Sequence, residues 1–473
     1  MNEEVSMKHV HFIGIGGVGM SALAIIAQQK GMKVTGSDVE DIYFIGDMLK
    51  DNHINWKPFS VENLKDKPDI VVVGAAWDEK NVEVQEAKKQ HLTIKTYSEF
   101  LGEIMQDYKG VAVAGIHGKT TTTAMIAFLL ASAKMSPSFL IGCRVAPNLG
   151  SNARLGEGEY FITEADEYKK SSSDFTSKFL DLKPEIAVVT SIEMDHPDIF
   201  ETVEDVYRAF YRFACKVPRS GLVIGCVDCD KVKKLSLSLA DRRFESYGFS
   251  YGADWRIIEY QVEPGEQSFS IKRDKQIYGP FKLTIPGEHN ILNATAAIIV
   301  CLKIGVKPAT LQRYLPEFSG VERRFQVLGE REGVVVVDDY AHHPTSIRAT
   351  LQGARSFYPN RKICCVFQPH TYSRTKELLD EFAKSFDGAD LVLITDIYAS
   401  AREKSGRIHA RHLVEETKKY NSHVYYVSKL DEAVDFLKEN LERGDVLVVM
   451  GAGDIYKVGM DYLNLPVSAD LKD

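Results

Sequence analysis

Residues 110–123 constrain the fold more than any other part of the chain. They read Gly-Val-Ala-Val-Ala-Gly-Ile-His-Gly-Lys-Thr-Thr-Thr-Thr, an apolar run closed by a glycine turn, and an apolar helical stretch follows from Ala124. A strand, a glycine loop and a helix in this order cradle phosphates, because glycine admits close N–H groups and the helix N-terminus adds positive charge. Lys119 is placed to reach terminal phosphates, and the Thr120 hydroxyl to hold Mg²⁺. The segment therefore predicts a nucleotide-binding α/β domain.

A second glycine-rich turn follows the strand-like residues 9–13. It has the G-x-G-x-x-G spacing and is followed about twenty residues later by an acid, an arrangement that seats a diphosphate and a ribose. Its candidate ligand residues are Gly14, Gly16, Gly17, Val18, Gly19 and Asp38. This fingerprint taken alone predicts a nicotinamide dehydrogenase. A UDP-sugar offers the same diphosphate and ribose, so both ligand classes remain open at this point.

Carboxylates follow two further strand-like runs. Residues 160–167 end in Glu164, Asp166 and Glu167, and residues 186–196 end in Asp195 and His196. Parallel strands present their C-terminal ends at the same sheet edge as the phosphate loop. We therefore expect Thr120, Glu164 and His196 to converge on Mg²⁺, although Mg²⁺ usually prefers oxygen ligands to a histidine.

Residues 253–285 alternate as β-strands do, and a helix rich in alanine follows to residue 304. His289, Asn290 and Asn293 open that helix. They are candidates for helix caps or for groups that meet a nucleotide base, and the sequence leaves both interpretations open. Residues 319–325 then read as a hinge that carries Arg323 and Arg324.

The last third of the chain alternates strand and helix patterns again, which predicts a second parallel sheet with functional loops at one edge. Polar side chains follow its first two strands: Asp339, Tyr340, His342, His370 and Arg374. This set suits a small zwitterion, with Arg374 pairing its carboxylate in bidentate fashion.

Composition limits the alternatives. The chain has 473 residues and a formal charge of -8, which argues against a nucleic-acid surface but not against small anionic substrates. Seven scattered cysteines suit a reducing compartment, and the sequence has no run that reads as a signal or membrane segment. We expect a cytoplasmic protein, monomer or homodimer, of three α/β domains at residues 1–105, 106–322 and 323–473.

The ordered motifs resemble those of the Mur ligases over essentially the whole chain. The resemblance rests on residues 11–20, 118–123, 164–167, 195–196, 289–293, 323–325, 338–344 and 367–374. It implies a Rossmann-like UDP-sugar domain, a central P-loop-type ATP domain and a Rossmann-like C-terminal domain. It also implies that ATP phosphorylates the lactyl carboxylate of UDP-N-acetylmuramate and that the amine of L-alanine then attacks the acyl phosphate, in peptidoglycan precursor biosynthesis.

The resemblance assigns roles to individual residues. The glycine-rich turn would bind the UDP-sugar, and Tyr340, His342, His370 and Arg374 would receive the amino acid. Thr120, Glu164 and His196 would hold Mg²⁺. Catalytic positions would be Lys119, Glu164, His196, Arg324 and Asp339. ATP would contact Gly115, Ile116, His117, Gly118, Lys119, Thr120, Thr121, His289, Asn290, Asn293 and Arg324.

Two departures from the family pattern keep an alternative acceptor open. Ile116 stands where the family usually has threonine, and residues 168–179 are longer than in the alanine-adding members. That longer segment is similar to the recycling ligase that attaches a murein tripeptide, L-Ala-γ-D-Glu-meso-diaminopimelate, to the same UDP-sugar. The C-terminal motifs follow the alanine-adding pattern instead, so L-alanine is the predicted acceptor, with glycine and L-serine also open.

Overall fold

The computed structural model describes residues 7–39, 43–399 and 406–465, which form sheets of five, ten and six strands. The five-stranded sheet is wholly parallel, in the order β3-β2-β1-β4-β5. Its strands are β1 (His9–Ile13), β2 (Lys33–Asp38), β3 (Asn55–Pro58), β4 (Ile70–Val73) and β5 (Thr93–Thr96). Its helices are α1 (Val18–Gln29), α2 (Tyr43–Asp51), α3 (Val82–Lys89) and α4 (Tyr97–Met105), with a 3₁₀ turn at Val61–Leu64.

The ten-stranded sheet forms the centre of the molecule, in the order β15-β14-β13-β12-β11-β10-β6-β9-β7-β8. Its strands are β6 (Lys109–Ala114), β7 (Ser138–Leu140), β8 (Ala153–Arg154), β9 (Tyr160–Ala165), β10 (Ile186–Val189), β11 (Leu222–Cys226), β12 (Phe244–Gly248), β13 (Trp255–Glu263), β14 (Glu266–Arg273) and β15 (Gln276–Leu283). Strands β6, β7 and β9–β13 pair in parallel, whereas β8, β14 and β15 extend the two edges antiparallel.

Five helices accompany this sheet: α5 (Lys119–Ser132), α6 (Val203–Ala214), α7 (Asp230–Ser238), α8 (Glu288–Ile304) and α9 (Pro308–Tyr314). Short 3₁₀ turns occupy Pro147–Leu149, Lys178–Asp181 and Leu315–Glu317. The β-rich pattern and the following alanine-rich helix are as predicted. Strand β10 ends earlier than expected, at Val189, so Asp195 and His196 lie in the loop after the strand.

The six-stranded sheet has the order β16-β17-β21-β18-β19-β20 and is parallel except at the β16–β17 pair. Its strands are β16 (Gln326–Arg331), β17 (Val334–Asp339), β18 (Ile363–Phe367), β19 (Leu391–Ile394), β20 (Val424–Tyr426) and β21 (Val446–Met450). Its helices are α10 (Pro344–Phe357), α11 (Tyr372–Glu377), α12 (Leu379–Ala383), α13 (Ala410–Thr417), α14 (Leu430–Asn440) and α15 (Tyr456–Tyr462).

The strand sequences explain why helices cover both faces of the sheets. On β6, Ala112 and Ala114 pack into one apolar core while Val111 and Val113 pack into another, because successive side chains point to opposite faces. On β17, Val335 and Val337 are separated from the alternate valines in the same way. These buried valine and alanine runs confirm the predicted α/β fold with three domains. Among the described helices, none is long and apolar enough to cross a membrane.

Candidate functional site

The phosphate loop has the predicted strand, loop and helix. Strand β6 ends at Ala114, and α5 begins at Lys119 after Gly118, which adopts a left-handed φ of 81°. A Cβ at Gly118 would collide with Asn293 Oδ1, and one at Gly115 with Thr190 Oγ1, so both positions require glycine. The backbone can therefore approach a bound anion closely.

Ile116 has a packing role within this loop. Its side chain is buried in the apolar core that α1 and α4 share with the central sheet, and its N–H donates to Ser191 O at 3.2 Å. An isoleucine is therefore compatible with the loop, although it lacks the hydroxyl that the family usually has there.

Lys119 lies among carboxylates. Its Nζ donates to both oxygens of Glu167, at 2.9 and 3.1 Å, and to the backbone oxygen of Gly115 at 2.5 Å. Burial alone would lower the pKa of Lys119, but the charges of Glu167 and Asp166 outweigh burial and raise it. The lysine is therefore held charged at the loop. Glu167 was not among the predicted site residues. Glu167 ends the same strand-like run as Glu164, residues 160–167, and this position in the sequence could have identified it.

His196 reaches the same acid. Its Nε2 lies 3.4 Å from Glu167 Oε1 and 3.7 Å from Asp195 Oδ2. Burial opposes protonation of the ring, yet the hydrogen bond that the ring donates to Glu167 and the charge of Asp195 raise the pKa of His196. The loop after β10 thus delivers its imidazole beside Lys119, although His196 lies 77 positions along the chain from the lysine.

Thr120 and Glu164 form an oxygen-rich pair on the other side of the lysine. Thr120 Oγ1 donates to Glu164 Oε2 at 3.0 Å, and Glu164 Oε1 accepts from Gly142 N at 2.6 Å. Burial raises the pKa of Glu164, while Lys119 and these hydrogen bonds oppose the rise. A buried acid whose charge is only partly compensated is a position that favours a cation.

The three polar residues at the start of α8 border the phosphate loop. Asn290 Nδ2 donates to Pro286 O, Asn293 Nδ2 donates to Asn290 Oδ1, and Thr122 Oγ1 donates to Asn293 Oδ1. The N-cap of α8 is Gly287, and no side chain caps it, so the capping interpretation was wrong. Burial, followed by the charge of His117, lowers the pKa of His289 to about 4.

These residues line a cavity of about 580 Å³ between the phosphate loop, α8 and α10. Its wall includes His117, Gly118, Thr120, Thr121, Cys229, His289, Asn290, Asn293, Arg324 and Asp339. Of the Cys226-x-x-Cys229 pair, burial raises the pKa of the Cys226 thiol to about 12, so that sulfur is an inert core group. All seven cysteines are free thiols.

The N-terminal glycine turn faces a second cavity of about 610 Å³, and Lys119, Glu164 and His196 border the same space. Gly17, Val18 and Gly19 line it directly. Asp38 accepts hydrogen bonds from Gly16 N at 2.6 Å and Val39 N at 2.8 Å, so its carboxylate shapes the turn. Burial raises the pKa of Asp38 despite these bonds.

The C-terminal sheet closes this second cavity with four predicted residues: Tyr340, His342, His370 and Arg374. His342 Nδ1 lies 2.8 Å from Tyr340 O, and a carbonyl oxygen can only accept, so Nδ1 carries the proton. Burial and the charge of Arg374 hold the pKa of His342 well below its usual value. The ring is therefore neutral at pH 7, and its Nε2 is an acceptor.

Arg374 makes a contact that the sequence did not predict. Its Nε and Nη2 donate to Asp195 Oδ1 at 3.2 and 2.8 Å, and both side chains are buried. The pair joins the C-terminal sheet to the loop after β10. His370 Nδ1 lies 3.3 Å from Arg374 Nη1, so the histidine adjoins the same guanidinium.

Arg324 lies where the two cavities meet, and Asp339 borders the first of them. Arg324 borders both and lies over the Tyr340 ring at 5.2 Å. Asp339 accepts from Phe325 N at 2.8 Å and from Ala341 N at 2.7 Å, so it fixes the backbone on either side of the site. Burial raises the pKa of Asp339, and Arg324 opposes the rise.

A polar bridge between the central and C-terminal sheets was also missed. His117 Nδ1 lies 3.1 Å from Ser346 Oγ, and Thr345 Oγ1 donates to Glu193 Oε2 at 2.9 Å. His343 Nε2 lies 3.3 Å from Met194 O. Among the described residues, His117, Glu193 and His343 form the one group with ligand atoms close enough for a metal ion. His343 Nδ1 accepts from Thr345 N, so its Nε2 holds the proton donated to Met194 O and is a poor ligand.

The longer segment at residues 168–179 is an ordered hairpin. Lys169 and Ser177 form an antiparallel bridge, and Lys170 N donates to Thr176 O at 3.0 Å. Lys178 pairs with Asp166 at 2.7 Å and lines the second cavity. The exposed Phe175 lies beneath Lys169 at 4.7 Å, on the outer part of the hairpin.

Comparisons with known proteins cover all three sheets. The family description "Mur ligase family, catalytic domain" matches residues 9–109, "Mur ligase middle domain" matches 113–301, and "Mur ligase, glutamate ligase domain" matches 323–453. These ranges together account for most of the chain.

Individual relatives agree. The chain is 42% identical to a UDP-N-acetylmuramate–L-alanine ligase of Caldanaerobacter subterraneus subsp. tengcongensis, covering 96% of this chain and 97% of the relative. It is 41% identical to the ligase of that name from Desulfitobacterium hafniense, over 95% and 98%. The crystal structure of a UDP-N-acetylmuramate-alanine ligase from Thermotoga maritima superposes with a TM-score of 0.80 at 28% identity, covering 97% of this chain and 98% of that one. The chain belongs to the Mur ligase family.

Proposed function

We propose that this protein joins L-alanine to the lactyl carboxylate of UDP-N-acetylmuramate, with ATP as the phosphoryl donor, in the synthesis of peptidoglycan precursors. Family membership makes it an ATP-dependent ligase that forms amide bonds, so the glycine turn of the N-terminal sheet belongs to a ligase and not to a dehydrogenase. The carrying observation is a single cavity bordered by the glycine turn, the phosphate loop and the C-terminal polar residues.

The proposed reaction has two steps. A lactyl carboxylate oxygen attacks the γ-phosphorus of ATP, the bond to the β,γ-bridging oxygen breaks, and ADP leaves. The amine nitrogen of L-alanine then attacks the acyl carbon of the acyl phosphate, phosphate leaves, and the amine loses a proton. Lys119 and Arg324 border the cavity where the phosphoryl group would pass, and their charges offset the charge that develops in transfer.

We assign the Mg²⁺ site to Thr120, Glu164 and His196. A threonine hydroxyl and a buried carboxylate 3.0 Å apart are the hard oxygen donors that Mg²⁺ prefers, so the donor set fits. His196 borders the same cavity, and its ring would have to lose the proton that Glu167 and Asp195 favour before it could complete the set. Bound Mg²⁺ would neutralise phosphate oxygens of ATP.

The acceptor amino acid is assigned to the C-terminal wall. The neutral His342 presents its Nε2 lone pair, which suits an amine N–H. We assign the carboxylate to His370 and to the Nη1 group of Arg374, because Nε and Nη2 of that guanidinium already bind Asp195. L-alanine is favoured over the murein tripeptide because the named relatives at about 40% identity are alanine ligases. The hairpin at residues 168–179 is the one feature that favours the tripeptide.

A phosphate-release assay with ATP, Mg²⁺ and UDP-N-acetylmuramate distinguishes these acceptors. We expect release with L-alanine and much less with L-Ala-γ-D-Glu-meso-diaminopimelate; faster release with the tripeptide would overturn the assignment. We further place the enzyme in the cytoplasm, as a monomer or homodimer.

Substitution of the loop lysine tests the ATP site itself. Lys119→Ala should reduce turnover by at least about 10²–10³-fold, because it removes a charge aimed at the transferring phosphoryl group. Binding of UDP-N-acetylmuramate, measured by calorimetry, should change little. Lys109→Ala is the matched control, since Lys109 pairs with Glu159 on the surface. Full turnover by Lys119→Ala would rule out the phosphate-loop role.

A further inference from the structure

Tyr97, the first residue of α4, stands in the wall of the cavity between the N-terminal and central sheets. Thr96 and Glu99 form a reciprocal capping box that fixes the backbone at this point. The adjacent Ser98 Oγ donates to Asp181 Oδ2 of the central domain at 2.7 Å. The ring of Tyr97 therefore has a defined place and does not belong to a free loop.

The phenol lies between two parts of the proposed site. A Cβ on Gly19 would be 3.3 Å from Tyr97 Oη, so the ring packs against the glycine turn. Glu164 and Asp166 border the same cavity as the ring, and burial, followed by the charges of these two acids, raises the pKa of Tyr97. A phenol is protonated at neutral pH, so the hydroxyl is available as a hydrogen-bond donor.

This donor has no protein acceptor in the part of the chain that the structure describes. Within the described ranges, no hydrogen bond joins Tyr97 Oη to a side chain or to the backbone. Tyr97 lines the cavity, so the hydroxyl can hydrogen-bond to whatever occupies that space. A hydroxyl that is fixed, protonated and directed to a cavity is complementary to a ligand oxygen.

We propose that Tyr97 is a specificity-determining residue that donates a hydrogen bond to an oxygen of the amino sugar. The inference rests on the proposed function, which seats the diphosphate at the glycine turn and the lactyl carboxylate near Lys119. The sugar joins these two groups, and Tyr97 lies between the positions assigned to them. The backbone N–H groups of the turn are available to the diphosphate, so the phenol is left for the sugar.

Calorimetric binding to Tyr97→Phe tests this assignment, because phenylalanine keeps the ring and removes only the donor. We expect affinity for UDP-N-acetylmuramate to fall roughly 3–10-fold, the usual range for one neutral hydrogen bond. Affinity for UDP alone, KM for L-alanine, KM for ATP and the melting temperature should stay at wild-type values. Tyr108→Phe is the control: Tyr108 packs against Phe161 and Lys30 away from the cavity.

The outcomes separate the possible errors. Equal loss of affinity for UDP and for UDP-N-acetylmuramate would place the contact on the diphosphate and overturn the sugar assignment. Unchanged binding of both would overturn the role of Tyr97 altogether. If the wild-type protein itself failed to bind UDP-N-acetylmuramate, the proposed function would be wrong, and that result differs from the other two.

Discussion

The central sheet meets the N-terminal sheet and the C-terminal sheet through junctions of different chemistry. At the first junction, one continuous apolar core contains Phe100 and Leu101 of α4 together with Phe179 and Leu180 of the central domain. The chains approach so closely that a Cβ on Gly102 would lie 2.6 Å from the backbone oxygen of Asp181. This junction resembles the inside of a single domain.

At the second junction, the central and C-terminal domains have separate apolar cores among the described residues. The last residue of the central core along the chain is Val321, and the first residue of the C-terminal core is Phe325. Side-chain hydrogen bonds and an ion pair cross this junction: Arg374 with Asp195, Ser346 with His117, Thr345 with Glu193 and His343 with Met194 O.

The difference indicates which domain can move. Separating the first junction would expose apolar surface to water, which is costly in proportion to its area. Polar groups at the second junction exchange protein partners for water at a smaller net cost. We therefore expect the central and C-terminal domains to separate more easily than the N-terminal and central domains.

Breaking the buried ion pair should have the largest effect. Asp195→Ala leaves Arg374 charged and unpaired, and losing one partner of a buried pair costs about 3–5 kcal/mol. We expect an open C-terminal domain, seen as a larger radius of gyration in X-ray scattering and faster proteolysis at residues 319–322. Asp198→Ala is the control, because Asp198 is exposed and binds Tyr168 within the central domain. A compact, protease-resistant Asp195→Ala protein would contradict a polar second junction.

The second largest effect is expected from acidification, which should weaken the contacts at the second junction. Burial, followed by the charge of His117, lowers the pKa of His343 to about 4 from 6.5. The stability from its neutral ring is therefore complete above pH 6.5 and is lost as the pH falls toward 4, a change of about 3 kcal/mol.

The variant His343→Asn isolates this contribution, because asparagine still caps α10 but does not titrate in this range. His289 and His342 also have lowered pKa values and act in the same direction, whereas the raised pKa of His196 acts in the opposite direction. The urea-unfolding midpoint of wild type should fall more steeply with acid than that of the variant. If the midpoints of wild type and variant changed in parallel with pH, His343 would not contribute to the acid sensitivity.

A pair of glycines gives the smallest and sharpest comparison. Gly102 in α4 faces the first junction, and Gly353 in α10 faces the second, where a Cβ would lie 3.4 Å from Pro286 Cβ. Alanine favours a helix by about 1 kcal/mol over glycine at both sites. At Gly102 the clash with a backbone oxygen should outweigh this gain and destabilise by about 1–2 kcal/mol, whereas Gly353→Ala should be neutral or stabilising. Equal midpoints for both variants would show that the junctions are packed alike.

The sequence by itself determined the fold class and the phosphate loop. Both depend on neighbours in the chain: the alternation of strand and helix patterns, the buried valine runs, and glycines whose backbone conformation no other residue adopts easily. The placement of Lys119 and Thr120 followed from their position at the start of α5. The resemblance to the Mur ligases added the identity of the substrates and the order in which they react.

Only the tertiary structure decided which side chains meet. Arg374 and Asp195 lie 179 positions apart, and His117 and Ser346 lie 229 apart, so no local pattern couples them. Tyr97 reads in the sequence as an ordinary first residue of a helix, and the glycine turn and Glu164 become its neighbours only when two sheets pack together. Local periodicity specifies elements because adjacent residues share one backbone. Contacts between domains depend on the relative orientation of whole sheets, which one stretch of sequence does not encode.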